Sequence, residues 1–191
     1  MQRKVLVNIH AVIPLSTVNG PGRRLVVFFQ GCENDCPGCF NPETHPLTPA
    51  TLSTPEELFQ KYLRKGTDGV TVSGGEPFLQ PDGLYRLLKT AKKTHGLTTV
   101  VYTGFDYEEL AADNALSRIF DFTDVLIDGR FDRTRMETTL LARGSTNQRL
   151  HFLGGPYTMN DFYMPGKVEV IIGPDGRVIE TGFSSITLLP Q

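Results

Sequence analysis

Apolar residues in this chain come in short β-branched runs that alternate with segments of helical period. Val5 to Val12 and Leu25 to Gln30 are two such runs, separated by the glycine-rich stretch TVNGPGRR, and both predict strands. At Thr54 the period changes. Thr54 can cap a helix, Pro55 suits its first turn and Glu57 can reach back to the cap, which predicts a helix to about Lys65, stopped near Gly66. GVTVSGG, from Gly69 to Gly75, predicts a buried strand ending in two glycines. A helix follows from about Pro81, with Leu84, Leu87, Leu88 and Ala91 on one face, closing at His95-Gly96. The strand TTVVYTG (Thr98 to Gly104), a helix opened by Asp106 with Glu109 at the capping-box position, and the strand DVLIDG (Asp124 to Gly129) continue the alternation.

This order predicts an α/β fold with a mostly parallel sheet, either open or curled into part of a barrel. In such sheets sites form at the C-terminal ends of the strands, so QGC, SGGEP, YTG and IDG would share one rim. KVEVIIGPDGRVIETGF differs, with two strand-like runs around Gly173-Pro174-Asp175-Gly176 that predict an appended β-hairpin. The expected organisation is a body over residues 1–153 and a C-terminal extension over 154–191 packed on the same domain.

Composition narrows the function. A chain of 191 residues is long enough for a proper core, and 19 basic against 21 acidic residues argue against an electrostatic nucleic-acid binder or a polybasic membrane anchor. No apolar run has the length of a membrane-spanning helix, and MQRKVLVNIHAVIP meets a histidine and a proline too early for a signal peptide. The expectation is a cytoplasmic protein without nucleic-acid or membrane partners. His10, His95 and His151 have no second ligand at a telling spacing and read as solvated or core histidines.

All 3 cysteines fall within GCENDCPGCF, as Cys32, Cys36 and Cys39 in a C-x3-C-x2-C spacing. An odd, tightly packed set is no disulfide framework, and soft thiolates select zinc or an iron–sulfur cluster. Zinc would need a fourth ligand, for which His45 is the nearby candidate. A cubane cluster held by three cysteines leaves one iron open to a substrate or cofactor. Buried free cysteines are the third possibility. SGGEP (Ser73 to Pro77) adds backbone acceptors and the carboxylate of Glu76, a set suited to an ammonium group; taken alone, it is a glycine turn that starts a helix.

Together these motifs resemble the radical S-adenosylmethionine (SAM) enzymes. NGPGRRLVVFFQGCENDCPGCFNPET (Asn19 to Thr44) is similar to the start of the glycyl-radical-enzyme activating enzymes. YTGFDYEEL, DVLIDGRF and RGSTNQR (Arg143 to Arg149) resemble the small anaerobic ribonucleotide reductase activators. The resemblance implies a partial (β/α) barrel in which Cys32, Cys36 and Cys39 hold a [4Fe–4S] cluster. The reduced cluster would cleave SAM to a 5′-deoxyadenosyl radical that takes hydrogen from a glycine of a partner enzyme, with a low-potential flavodoxin or ferredoxin as electron donor. Ser73, Gly74, Gly75 and Glu76 would hold the methionine end of SAM, and Phe40, Asn41, Thr103 and Gly104 would line the pocket. Asp128 would face SAM through a monovalent cation, or else cap the following turn. Arg143 and Asn147 would lie near the ribose or carboxylate of SAM. Asn19, Gly20, Pro21, Gly22 and Arg23 would form a catalytic-face loop against the partner, with Arg23 and Arg24 reaching outward; a tight turn is the plainer reading.

The chain continues from Gly154 to Gln191, past the region where those activators end. A radical SAM enzyme acting on a different peptide, nucleotide or small molecule is therefore the second reading, and a non-catalytic metal-binding interaction module the third.

Overall fold

A computed structural model describes residues 4–139, 141–164, 168–172 and 178–182. Seven strands form one sheet: β1 (Val7–Ser16), β2 (Arg24–Phe29), β3 (Thr51–Ser53), β4 (Gly69–Gly74), β5 (Thr98–Tyr102), β6 (Val125–Asp128) and β7 (Arg149–Phe152). Their spatial order is β3-β1-β2-β4-β5-β6-β7. The central strands β2, β4, β5 and β6 run parallel, while β1, β3 and β7 pair antiparallel at the flanks. The fold is thus mixed α/β around a parallel centre. Two further strands, β8 (Val168–Ile172) and β9 (Val178–Gly182), pair antiparallel in a separate sheet. The predicted turn at Gly173 to Gly176 lies outside the described residues.

The helices follow from their caps. Helix α1 (Pro55–Tyr62) opens on the predicted capping box, with Glu57 N–H donating to Thr54 Oγ1 and Thr54 N–H to the Glu57 carboxylate. It ends earlier than predicted, because Leu63 is already extended. Helix α2 (Pro81–His95) closes on Gly96 in the left-handed region at φ 64, the conformation that favours glycine at a helix end. Helix α3 (Tyr107–Ala112) carries the Asp106/Glu109 capping box.

Two layers of side chains cover the sheet. On the helical face Val7, Leu25, Val27, Phe29, Val70 and Val72 pack against Leu58, Leu84, Leu87 and Leu88. Each fully buried leucine of α2 contributes about 2 kcal/mol of burial free energy. On the other face Val100, Val125 and Ile127 are covered by Leu141, Ala142, Phe162 and Met164.

Strand β1 runs further than its apolar run predicts, through Pro14. Proline is tolerated there because the β1–β2 register shifts between Ile13 and Ser16. Strands β3 and β7 were not predicted: β3 has three residues, and RLHF in β7 lacks a clean alternation.

The NGPGRR loop departs most from expectation. It precedes β2 and so sits at the opposite rim from the cysteines, roughly 20 Å away along six strand residues. Gly20 and Pro21 are buried and Asn19 is half-buried, with its amide on Ser16 and on Thr181 of β9. Gly22 and Arg23 are exposed, and Arg23 pairs with Asp68. Arg24 does not reach outward but is fully buried. Its guanidinium donates to Thr71 Oγ1 at 2.6 Å, the Val70 carbonyl at 2.6 Å, the Pro21 carbonyl at 2.9 Å and Tyr157 Oη at 3.2 Å. These neutral acceptors satisfy its N–H groups, so the side chain ties the loop, β4 and the segment after β7 together. Burial pulls its pKa down from the usual value.

Candidate functional site

The rim at the C-terminal ends of β2, β4 and β5 is closed by one carboxylate. Glu76 leaves β4 and is 1 % exposed. Its Oε1 accepts from Phe78 N–H at 3.0 Å and Thr103 Oγ1 at 2.8 Å, and its Oε2 from Gly104 N–H at 2.7 Å and Asn34 Nδ2 at 3.2 Å. Burial pushes its pKa up, against four hydrogen bonds that each favour the ionised form. This carboxylate is not free to meet an ammonium group: it joins the loop after β4, the loop after β5 and the cysteine loop. Acceptors for a cation at this rim must come from backbone carbonyls, and among the described residues no N–H donates to that of Gly75.

The two glycines are required by how closely the strand ends approach. Gly75 N–H donates to the Phe29 carbonyl and Glu76 N–H to the Gly31 carbonyl, which lays the SGGEP turn on the backbone leading into Cys32. A Cβ at Gly75 would collide with the Gly31 carbonyl oxygen, and Gly74 adopts φ 104. Gly75→Ala is expected to cost about 2 kcal/mol or more of stability, read as a lower urea midpoint with unchanged slope; an unchanged midpoint would show that the turn can move aside.

The cysteines are half-buried in a loop whose start is held by Cys32 N–H on the His45 carbonyl and whose own turn is closed by Cys39 N–H on the Cys36 carbonyl. Asn34 N–H reaches Cys32 Sγ at 3.5 Å and Asn41 N–H reaches Cys39 Sγ at 3.4 Å. Burial pushes the Cys32 and Cys39 thiols up. Among the described residues no three His, Cys, Asp or Glu side chains are gathered into a metal cage. The donor set nevertheless fits a cluster: three thiols on one loop, two of them met by amide N–H groups of the kind that tune cluster sulfur.

Beside this loop lies a cleft of about 360 Å³ lined by Pro37, Arg130, Phe131, Arg133 and Asn147. Asn147 donates from Nδ2 to the Arg130 carbonyl, and its Oδ1 is buried without a partner among the described residues. A buried orphan acceptor is costly unless something fills it, so this edge fits a donor of a bound cofactor. Phe40 is 59 % exposed and packs on Phe131, ring centroids 4.7 Å apart, with Gly144 against both rings. A larger cleft between α1 and α2 holds none of the predicted site residues.

Two predicted contacts are spent elsewhere. Arg143 donates to Glu137 Oε2 at 2.5 Å and to the Gln148 carbonyl at 2.7 Å, inside its own loop. Asp128 is fully buried and points to the helical face, where Tyr107 N–H donates to its Oδ2 at 2.7 Å, as a cap on α3. Arg149 was not singled out by sequence; it donates from Nε to Asp128 Oδ1 at 3.1 Å and from Nη2 to Oδ2 at 2.5 Å. His151, stacked on Tyr107, brings Nε2 to 3.1 Å from the same oxygen, which makes an ion pair when the imidazole is protonated. Burial would raise the Asp128 pKa, but the hydrogen bonds from Arg149 and Tyr107 and the charge of His151 hold it below the usual carboxylate value. The Arg149 guanidinium thus occupies the side of this carboxylate where a monovalent cation was expected. Asn34 was also missed, since an asparagine between cysteines reads as a turn residue.

Residues 18–151 match the family described as 4Fe-4S single cluster domain. The chain belongs to that family. Among relatives of this 4Fe-4S single cluster protein is the anaerobic ribonucleoside-triphosphate reductase-activating protein of Escherichia coli K12, 34 % identical over 155 residues, which cover 76 % of this chain and 99 % of the relative. The protein of that name from Enterobacteria phage T4 is 32 % identical over 150 residues, 75 % of this chain and 92 % of the relative. The pyruvate formate-lyase-activating enzyme of Clostridium pasteurianum is 40 % identical over 109 residues, 54 % of this chain and 46 % of that enzyme. These matches bear out the resemblance to the radical SAM activating enzymes. Among the described residues no helix is long and apolar enough to cross a membrane.

Proposed function

We propose that this protein is a radical SAM activating enzyme that generates a glycyl radical on a partner of the anaerobic ribonucleotide reductase type. The observation that carries the reading is the convergence of the cysteine loop with the SGGEP and YTG strand ends, bound together through Glu76, in a chain that spans nearly the whole E. coli activating protein.

Cys32, Cys36 and Cys39 would hold the [4Fe–4S] cluster. When bound, the cluster supplies the electron that cleaves SAM to methionine and the 5′-deoxyadenosyl radical, chemistry that belongs to the cofactor. The chain's residues bind and orient. The carbonyls of the Gly74-Gly75 turn would accept the SAM ammonium, Asn147 Oδ1 would take a donor at the cleft edge, and Phe40 with Phe131 would exclude water on one side. Ser73 sits beside them at the end of β4. Glu76, Thr103 and Gly104 act as the frame. The sheet reads as a partial barrel open at its side to a protein loop, with residues 154–164 belonging to the same domain. The one-electron donor would be a low-potential flavodoxin or ferredoxin. The segment beyond the family match, which includes Phe162 and Met164, favours as second reading a radical SAM enzyme with another substrate.

The test is anaerobic reconstitution with iron and sulfide, then dithionite, SAM and an anaerobic ribonucleotide reductase whose glycines are α-deuterated. Deuterium in 5′-deoxyadenosine together with a glycyl radical signal is the expected result. Undeuterated 5′-deoxyadenosine without that signal would move the substrate elsewhere, and a protein that holds zinc and never cleaves SAM would be a metal-binding module.

A further inference from the structure

We infer that Arg149 is the counter-charge of Asp128, so that this rim works without the monovalent cation that the resemblance leads one to expect there. Asp128 and Arg149 are directly opposite across the antiparallel β6–β7 pair, which puts both side chains on the helical face. The guanidinium grips both Asp128 oxygens and carries on to Glu108, donating from Nη2 to its Oε2 at 2.7 Å and from Nη1 to its Oε1 at 3.0 Å. Hydrogen bonds to Glu108 and then to Asp128 push the guanidinium pKa up, so it stays charged. With Tyr107 N–H and His151 as further neighbours, a small cation would have to displace a hydrogen-bonded cation and face an imidazole.

The consequence reaches the cofactor rim through backbone. Asp128 holds the start of α3 by Tyr107 N–H, and the segment just before it carries Thr103 and Gly104, the donors to Glu76. Arg149 is therefore a positioning residue. Its role for SAM rests on the function proposed above; its role for Asp128 does not.

The experiment compares KCl, NaCl and tetramethylammonium chloride at equal ionic strength. For the apo-protein, wild type should melt within about 1 °C in all three salts, and Arg149→Met should lose at least about 5 °C in tetramethylammonium and regain part of it in potassium or sodium. Arg149→Lys, which keeps the charge, should be indifferent to the cation and decides the matter if the methionine variant does not fold. For the reconstituted enzyme, the KM for SAM in 5′-deoxyadenosine formation should differ by less than about twofold between salts. A wild type stabilised by potassium, with the gain abolished in Asp128→Asn, would overturn the inference. So would an Arg149→Met protein that melts like wild type. If 5′-deoxyadenosine forms in no salt, the radical SAM reading fails while the melting comparison still decides Arg149.

Discussion

Cys36→Ala, reconstituted anaerobically, should show no iron–sulfur absorbance and form 5′-deoxyadenosine at less than about one thousandth of the wild-type rate. The fold should not share in the loss. Cys32 and Cys39 each accept an amide N–H, from Asn34 and Asn41, whereas among the described residues no backbone N–H reaches Cys36 Sγ. Only the Cys36 carbonyl, which the substitution keeps, accepts the Cys39 N–H. The apo-variant should therefore melt within about 2 °C of wild type, which separates loss of a ligand from loss of the loop. A variant that keeps its iron and its 5′-deoxyadenosine would remove Cys36 from the ligand set and, with it, the three-thiolate reading.

Glu76→Leu should be the most destabilising single change at the rim, because four donors lose their acceptor at once. Gly104 N–H, Phe78 N–H, Thr103 Oγ1 and Asn34 Nδ2 would face an apolar side chain in a buried position. With each unsatisfied buried group costing about 1–3 kcal/mol and some relaxation, roughly 4 kcal/mol is the expected loss. That corresponds to about 8–16 °C in melting temperature for a chain of this size. Glu76→Gln keeps one acceptor oxygen but turns an amide N–H towards donors, and should fall between. Iron uptake should drop with stability, since Asn34 ties the cysteine loop to the frame through this carboxylate. Glu76→Leu melting within about 2 °C of wild type would mean that the loops are held by something else.

Much of this was legible in the sequence where local chemistry decides structure. The Thr54 and Asp106 capping boxes, the Gly96 stop and the buried run at Gly69 each carry their own signal, and the structure follows them. What escaped is what depends on partners distant in sequence. RLHF has too little alternation to declare a strand, so Arg149 was not seen opposite Asp128. Two arginines in a row look alike on paper, yet Arg23 is exposed beside Asp68 while Arg24 meets a set of acceptors that only the folded sheet supplies. Glu76 stands out at its strand end, but a sequence cannot say whether a carboxylate there faces a ligand or, as here, its own neighbouring loops.

Phe162 and Met164 fall beyond the span shared with the family, yet they roof Val100, Val125 and Ile127. Cover for that face of the sheet is thus shared between the matched span, through Leu141 and Ala142, and the segment after it. Trimming the gene after β7 would keep every motif of the rim and uncover an oily floor, which invites aggregation before any cofactor is loaded. A cut after Met164 would keep that cover but remove β9, whose Thr181 meets Asn19.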